Sequence, residues 1–206
     1  MRRVLIGTVV GALVVFIWGF LSWAVLGLWD GRIRGHPGGD AAMALLTQGL
    51  TEDGAYYLPA MSSREAMESM APEAAEADMQ AWSERHQKGP LVTLLVRTSG
   101  VDPMAPGTFV GGVVIDLLGA CMMSAFMMLA APSAGWCQRF AIGLSMAVFA
   151  AATSHGSNWN WFHLPDDWSF PLAMDLLAGW TLCAAVLALI LRPAAATRTY
   201  GGGGAA

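Results

Sequence analysis

The sequence predicts an all-α membrane bundle of four transmembrane helices, with a small α+β extracytoplasmic insert between the first and second helices. Three observations support this fold class. The 206-residue chain is 55% hydrophobic and only 13% charged, whereas a soluble domain carries about a quarter charged residues. Four long apolar runs divide the chain. With four crossings, the basic residues of the short connections all fall on one side, which the positive-inside rule places in the cytoplasm.

The first transmembrane helix is predicted within residues 1–29. Residues 4–29 contain no charge and, at about 1.5 Å per residue, exceed the roughly 30 Å hydrocarbon core of a bilayer. Arg2 and Arg3 precede this run. A signal peptide also begins with positive charge, but its apolar segment is shorter and ends at a small-residue cleavage site. We therefore interpret the segment as an uncleaved helix.

Residues 30–107 are polar and form the predicted extracytoplasmic domain. The pattern predicts a helix at 41–50, a strand at 55–58 and a second strand at 91–97. Between the strands, Ser62 and Glu65 fit a capping box that opens a helix, and Pro72 begins another with Glu73 and Glu76 in its first turn. The acidic excess of this insert has two interpretations, a solvated helical surface or a docking surface for a basic partner.

The predicted three-helix transmembrane bundle occupies residues 108–192, with apolar runs at 108–131, 140–154 and 170–191. The run at 140–154 reaches spanning length only if it continues through His155 and Asn158. The outer loop, 157–168, contains Asp166 and Asp167 but no lysine or arginine. Both termini are therefore predicted in the cytoplasm, and residues 193–206 form a glycine-rich cytoplasmic tail. The basic residues on that side are Arg2, Arg3, Arg139, Arg192 and Arg198.

Asp116 and Asp175 lie inside the second and fourth apolar runs, and His155 lies near the outer end of the third. Ionisable residues at membrane depth are costly and mark candidate sites. Both aspartates enter from the outer face at similar depth, so their carboxylates could face each other with His155 nearby. Two interpretations remain open: a proton or cation path, in which neighbouring carboxylates share a proton, or neutral aspartates that hold the helices together.

No catalytic motif, cofactor site or metal site is predicted. The chain contains no nucleophile elbow, zinc-protease motif, Cys-x-x-Cys pair or phosphate loop. His155 and His163 with Asp166 and Asp167 form only a weak alternative for a metal-dependent enzyme at the outer face, because their spacing matches no strong ligand pattern. The cysteines at 121, 137 and 183 lie in or beside apolar segments, where cysteine usually packs as a small apolar residue.

Glycine pairs at a spacing of four predict close helix packing. Gly7 and Gly11 form one pair in the first helix, and Gly107 and Gly111 form another at the start of the second. Small residues at this spacing let two helix backbones approach closely. The contacts could lie within the bundle or with another subunit. Trp18 and Trp23 are deep aromatics that we expect to pack.

Several short stretches together resemble an uncharacterised family of small four-helix bacterial integral membrane proteins. They are Gly7-Thr8-Val9-Val10-Gly11, Phe16-Ile17-Trp18-Gly19, Ser22-Trp23, Asp102-Pro103-Met104, Trp159-Asn160-Trp161, and Asp175 with Gly179-Trp180. The resemblance covers most of the chain. It implies a multi-pass protein of the bacterial inner membrane with a periplasmic insert, and it carries over no functional residue.

The function that these patterns favour is that of a non-catalytic accessory or structural subunit of a larger bacterial membrane complex, for example a respiratory or photosynthetic one. Its expected partners are the lipid bilayer and other membrane subunits, and not nucleic acid, because the chain has no basic arm. The alternative is a small proton- or cation-coupled transporter or channel that uses the intramembrane aspartates.

Overall fold

The computed structural model describes residues 2–130 and 133–191 of the chain. The predicted tail at 193–206, with Arg192 and Arg198, lies outside the described residues. The chain divides into two compact units. The first contains the described parts of 1–32, 104–160 and 164–206, and the second contains 33–103 with 161–163.

Four segments of the first unit are long and apolar enough to cross a membrane, which fits the predicted four-helix protein. They are Arg2–Val25, Pro106–Ala130, Trp136–Trp161 and Asp166–Ile190. Their outward residues are strongly apolar: Leu129 is 81% exposed and Ile115 is 67% exposed. Surfaces of this kind on four whole helices are typical of contact with lipid, since a soluble monomer rarely carries so large an apolar area.

The first span consists of helix α1 (Arg2–Phe20) and a π-helical turn (Leu21–Val25). The second span is one helix. It is numbered α5 (Pro106–Ala130) because three helices of the second unit precede it in the chain.

The third span is continuous through the polar stretch on which its predicted length depended. Helix α6 (Trp136–Ala151) passes through a π-helical turn (Ala152–Gly156) into α7 (Ser157–Trp161). The predicted outer loop at 157–168 is therefore wrong in extent, because its first residues are helical. The chain leaves the helix before His163, which has a left-handed backbone with φ of 50°, and Pro165 then prevents the helix from resuming earlier.

The fourth span, α8 (Asp166–Ile190), begins earlier than the predicted start at residue 170. Asp166 and Asp167 lie in its first turn, where carboxylates interact favourably with the helix dipole. Pro171 lies inside the helix and has no N–H to donate to the carbonyl of Asp167, four residues earlier. The Nη1 group of Arg32 donates to that carbonyl instead, at 3.2 Å.

Contacts between small residues show that α1 runs antiparallel to both α5 and α8. A Cβ atom placed on Gly7 would lie 3.0 Å from Ser124 Oγ and 3.2 Å from Leu187 Cδ2, and one on Gly11 would lie 3.0 Å from Ala120 Cβ and from Cys183 Sγ. Helix α6 packs on α8 at Gly143, where a Cβ would lie 2.6 Å from Ala184 Cβ. The buried core of the bundle is Ala12, Ala120, Met123, Met127, Cys183, Ala184, Leu187 and Leu191.

This antiparallel packing gives the first unit two ends. We call the end with Val25, Pro106 and Asp166 the upper end, and the end with Arg2, Trp136 and Ile190 the lower end. Both predicted aspartates and His155 belong to the upper half, as the sequence of each helix requires.

The second unit has the predicted order of helix, strand, helices and strand. Its elements are α2 (Gly39–Gly49), β1 (Gly54–Leu58), α3 (Arg64–Ser69), α4 (Pro72–Lys88) and β2 (Val92–Val96). The strands pair antiparallel, with Gly54 opposite Val96 and Leu58 opposite Val92. Trp82 of α4 donates through Nε1 to the carbonyl of Pro59, at 3.1 Å, and so fixes the helix against the end of β1.

Two details of the predicted helix starts in this unit are wrong. The N-cap of α3 is Ser63 and not Ser62, because the Ser63 hydroxyl accepts from the amide of Ala66 at 3.2 Å. A capping box from Ser62 to Glu65 therefore does not form. In α4, Glu73 lies in the first turn, but Glu76 lies beyond it.

Candidate functional site

Asp175 accepts a hydrogen bond across two helices in the upper half of the bundle. The indole Nε1 of Trp18, on α1, donates to Asp175 Oδ1 at 2.8 Å and to the Asp175 backbone oxygen at 3.1 Å. An indole has one donor and no acceptor, so the carboxyl oxygen must be the acceptor. From the sequence we expected Trp18 only to pack. Its indole N–H needs a polar partner when it lies among apolar helices, and this need could have identified the contact.

Glycines make room for the tryptophan rings that join these helices. A Cβ on Gly179 would lie 2.7 Å from Trp18 Cδ1, so the ring of Trp18 rests directly on the α8 backbone. A Cβ on Gly119 of α5 would overlap the six-membered ring of Trp180. Each tryptophan therefore occupies a glycine notch on the neighbouring helix. Together the two contacts connect α1 to α8 and α8 to α5 at the level of Asp175.

His155 lies on the π-helical turn of the third span and shares a cavity with Asp175. This cavity has a volume of about 240 Å³, and its lining includes Trp18, Trp23 and Trp180. A π-helical turn displaces side chains from the ordinary helical register and is frequent at functional sites. A second π-helical turn, Leu21–Val25, places Trp23 in the same lining. The structure thus brings His155 and Asp175 to one cavity.

Asp116 is not part of that lining. It lies on the inward side of α5, one turn before the buried Ala120, and is partly buried. Its carboxyl forms no hydrogen bond or ion pair with another described residue. Of the three candidate polar residues, the structure therefore joins His155 and Asp175 around one cavity, and it places Asp116 separately.

His155 also lines a second cavity, between α6 and α8, with a volume of about 260 Å³. Ser169 lines the same cavity and is only 4% exposed. The Ser169 hydroxyl forms no hydrogen bond with any described residue. Sequence analysis did not single out Ser169, because a serine near a helix start is ordinary and its burial depends on packing between helices distant in sequence.

The two predicted glycine pairs have different surroundings. Gly7 and Gly11 are buried against α5 and α8, within the bundle. A Cβ atom placed on Gly107 or Gly111 would have no described atom within 4 Å, and the same is true of Gly112. The first pair is therefore filled by the chain's own helices, and the second lies on an open side of α5.

The four residues of the alternative metal site do not form a ligand cluster. The ring of His163 lies against His86 in the second unit, with centroids 5.3 Å apart. Asp166 accepts from Trp159 Nε1 at 2.7 Å. No group of three or more histidine, cysteine, aspartate or glutamate side chains within residues 2–130 and 133–191 has an arrangement that could hold a metal ion.

Asp53, in the second unit, has the clearest electrostatic perturbation outside the spans. Its Oδ1 accepts from the Thr98 amide at 2.7 Å and from the Thr98 hydroxyl at 2.6 Å. These bonds, the hydroxyl first, hold the pKa of Asp53 below its usual value. Since Asp53 precedes β1 and Thr98 follows β2, the bonds close the end of the hairpin-like sheet. This is a structural contact and not a reactive site.

Comparison of the chain with known protein families, with curated proteins and with solved structures gives no match in any of the three. Within the described residues, the four candidate spanning helices and the small two-stranded sheet are what indicate a multi-pass membrane protein.

Proposed function

We propose that the protein is a non-catalytic accessory subunit of a larger bacterial membrane complex. The observation that carries the proposal is the open glycine face of α5, formed by Gly107, Gly111 and Gly112. The same glycine spacing in α1 is filled by helices of this chain, so the bundle already uses the motif for close packing. Gly107 and Gly111 fit a transmembrane helix of another subunit. That helix would pack closely on them, as α5 and α8 pack on Gly7 and Gly11.

The hydrogen bonding of Asp175 supports the non-catalytic part of this proposal. Oδ1 of Asp175 accepts from the indole of Trp18, so this carboxyl links α1 to α8. A carboxyl that bonds across two helices acts first as a structural contact. Asp116, in turn, forms no hydrogen bond or ion pair with another residue of the described part of the chain. The polar groups of the bundle therefore fit a scaffold better than an enzyme.

The test is native mass spectrometry of the protein extracted from its own membranes in nanodiscs. We expect a complex of fixed composition for the unaltered chain. Gly111→Leu should release the partner, because the leucine fills the open face, while the monomer keeps its helical content. Ala141→Leu, at an exposed alanine of α6, is the matched control and should retain the partner. A lone monomer from unaltered protein would refute the proposal, and full retention by Gly111→Leu would refute the α5 interface.

A proton- or cation-coupled transporter is the second candidate, favoured by the cavity that His155 and Asp175 share. Its test is proton or cation flux into proteoliposomes. Asp175→Asn keeps an oxygen that accepts from Trp18 but removes the titratable group, so transport should stop while the fold persists. Asp116→Asn tests the other carboxyl in the same way. Absence of flux in the unaltered protein eliminates this candidate.

A further inference from the structure

The cavity that His155 and Asp175 share is lined by three indole side chains. Trp18 comes from α1, Trp23 from the first π-helical turn and Trp180 from α8. The cavity volume of about 240 Å³ is several times the ~30 Å³ that one water occupies in the liquid. All the lining residues belong to the first unit. The cavity therefore has room for a small molecule between aromatic side chains and a carboxyl group.

The three indoles are held in place by contacts within the bundle. Trp18 and Trp180 lie in the glycine notches of α8 and α5. Trp23 stacks on Trp29, with ring centroids 4.4 Å apart and an angle of 19° between the planes. Trp29 covers one face of the Trp23 ring, which leaves the opposite face for a ligand. Side chains ordered in advance lose little conformational entropy when a ligand binds.

Asp175 gives this aromatic cavity one carboxyl group. Its Oδ1 accepts from Trp18, which fixes the carboxyl, and its Oδ2 forms no hydrogen bond with a described residue. No lysine or arginine is among the described lining residues, and Asp175 is the one acid among them. His155, the other titratable residue there, has an uncharged ring at alkaline pH. A partly buried carboxylate without a cationic neighbour favours a bound cation.

The composition of the lining selects one class of cation. Calcium and magnesium ions take about six or more oxygen ligands, and a primary ammonium has three N–H donors to satisfy. The side chains of the described lining residues provide one carboxyl and no hydroxyl or amide oxygen. A quaternary ammonium ion has no N–H group, and aromatic rings attract it electrostatically, tryptophan most strongly. The cavity therefore fits an alkylated ammonium better than a metal ion.

We propose that this cavity binds a quaternary ammonium ion, with Trp18, Trp23 and Trp180 around its alkyl groups and Oδ2 of Asp175 as the counter-charge. The ion can come from the water phase or from the headgroup of a choline lipid, since both carry the same trimethylammonium group. The inference deepens the second candidate function, cation transport, by naming the class of cation. Binding requires neither flux nor the interface on α5, so each of the three can fail separately.

Equilibrium dialysis of radiolabelled choline against the full chain, in nanodiscs free of choline lipids, measures this binding. The pH is about 8, where free imidazole is neutral, and empty nanodiscs are subtracted. We expect saturation at one choline per chain. Asp175→Asn keeps an oxygen for Trp18 but removes the charge, and it should weaken binding by about tenfold or more. Trp23→Leu removes one indole and should weaken binding by about threefold or more. Either variant remains informative if the other fails to fold.

Matched controls distinguish the site from general attraction of cations to the membrane. Asp116→Asn and Trp161→Leu remove a carboxyl and an indole outside the lining, and both variants should bind choline as the unaltered chain does. The tert-butyl analogue of choline, with carbon in place of nitrogen, has the shape without the charge and should not compete. Non-saturable binding, or unchanged affinity in a folded Asp175→Asn or Trp23→Leu variant, would overturn the proposal. Competition by the neutral analogue as strong as that by unlabelled choline would also overturn it.

Two further measurements separate the source of the ion and the question of transport. In nanodiscs of phosphatidylcholine, free choline should bind about tenfold or more weakly if the lipid headgroup occupies the site, and equally well if the ion comes from water. Choline uptake into proteoliposomes tests the transporter. Saturable binding without uptake would refute transport and leave the site intact, whereas absence of binding would refute the site whatever proton or cation flux is found.

Discussion

At the scale of single residues, Trp18 and Asp175 illustrate how a polar group is accommodated among apolar helices. An aspartate inside a span is unfavourable, and an indole N–H at that depth also lacks water. Each side chain satisfies the other at 2.8 Å, and the glycine notch at Gly179 brings the two helices close enough for that distance. Trp18, Asp175 and Gly179 therefore form one contact. Of these three residues, the sequence pattern identified only the aspartate as a polar candidate.

Trp18→Phe should lower the stability of the bundle by about 0.5–2 kcal/mol, because it keeps a ring in the notch but removes the donor. Unfolding of the detergent-solubilised protein by a denaturing detergent measures the change. Trp161→Phe is the control, since Trp161 is 75% exposed. Equal effects of the two substitutions would mean that the hydrogen bond contributes nothing measurable.

Asp53 predicts a pH dependence that is confined to the second unit. Its folded pKa is lowered by Thr98, so the ionised form stabilises the fold at pH values above the unfolded value of about 3.8. That contribution is lost as the pH falls through the lower, folded pKa. Hydrogen exchange at β2, corrected for intrinsic rates, should therefore rise in acid. Asp53→Asn should already be less protected at neutral pH and should show a smaller acid effect.

Glu52→Gln is the control for the Asp53 experiment, because it removes a neighbouring exposed carboxylate. Its pH profile should match that of the unaltered chain. If Asp53→Asn and Glu52→Gln give the same profile, the bonds to Thr98 do not stabilise the sheet.

At the scale of helices, the position of each glycine decides what a methyl group would do. Gly179→Ala should destabilise the bundle, because its Cβ would lie 2.7 Å from Trp18 and the ring would have to move. Gly111→Ala should be neutral or stabilising, since it has open space and alanine favours a helix by about 1 kcal/mol over glycine. Denaturation in one detergent compares them directly. The same loss of stability in both would contradict the notch.

The helices themselves were largely predictable, because apolar runs of spanning length reflect a strong and local constraint. The third span shows the limit of that argument. Its polar end at 152–161 has a low apolar content, but helical hydrogen bonds continue through it. Backbone bonding can extend a helix beyond the apolar run that identifies it. The error at Ser62 is also local. The N-cap of α3 is shifted by one residue, to the adjacent serine.

The candidate site was predictable only in part, because its composition depends on packing between helices. The sequence placed Asp175 and His155 at a common end of the bundle, and the structure puts them around one cavity. Trp18 was missed as a hydrogen-bond donor, and Ser169 was missed as a buried hydroxyl. Their surroundings follow from the notch at Gly179 and from the packing of α6 and α8, which are tertiary features. No periodicity in one helix encodes a gap between two helices.

At the scale of the whole molecule, the distribution of charge predicts the orientation in the membrane, and thiol labelling can test that prediction. Arg2, Arg3 and Arg139 lie at or near the lower ends of their helices, and the positive-inside rule assigns that end to the cytoplasm. Cys137, beside Arg139, is exposed. It should therefore react with a membrane-impermeant maleimide only after the cells are made permeable. A cysteine introduced in the insert by Thr51→Cys should react in intact cells.

The chain supplies the controls for this labelling because its other cysteines lie within spans. Cys183 is buried and Cys121 is on the lipid-facing part of α5, so neither should react with a polar reagent in native membranes, whichever way the protein inserts. Cys137→Ser should abolish the signal from permeable cells. Labelling of Cys137 in intact cells, with protection of residue 51, would show that the orientation is the reverse of the predicted one. Because four crossings return the chain to its starting side, that result would move both termini to the outside together.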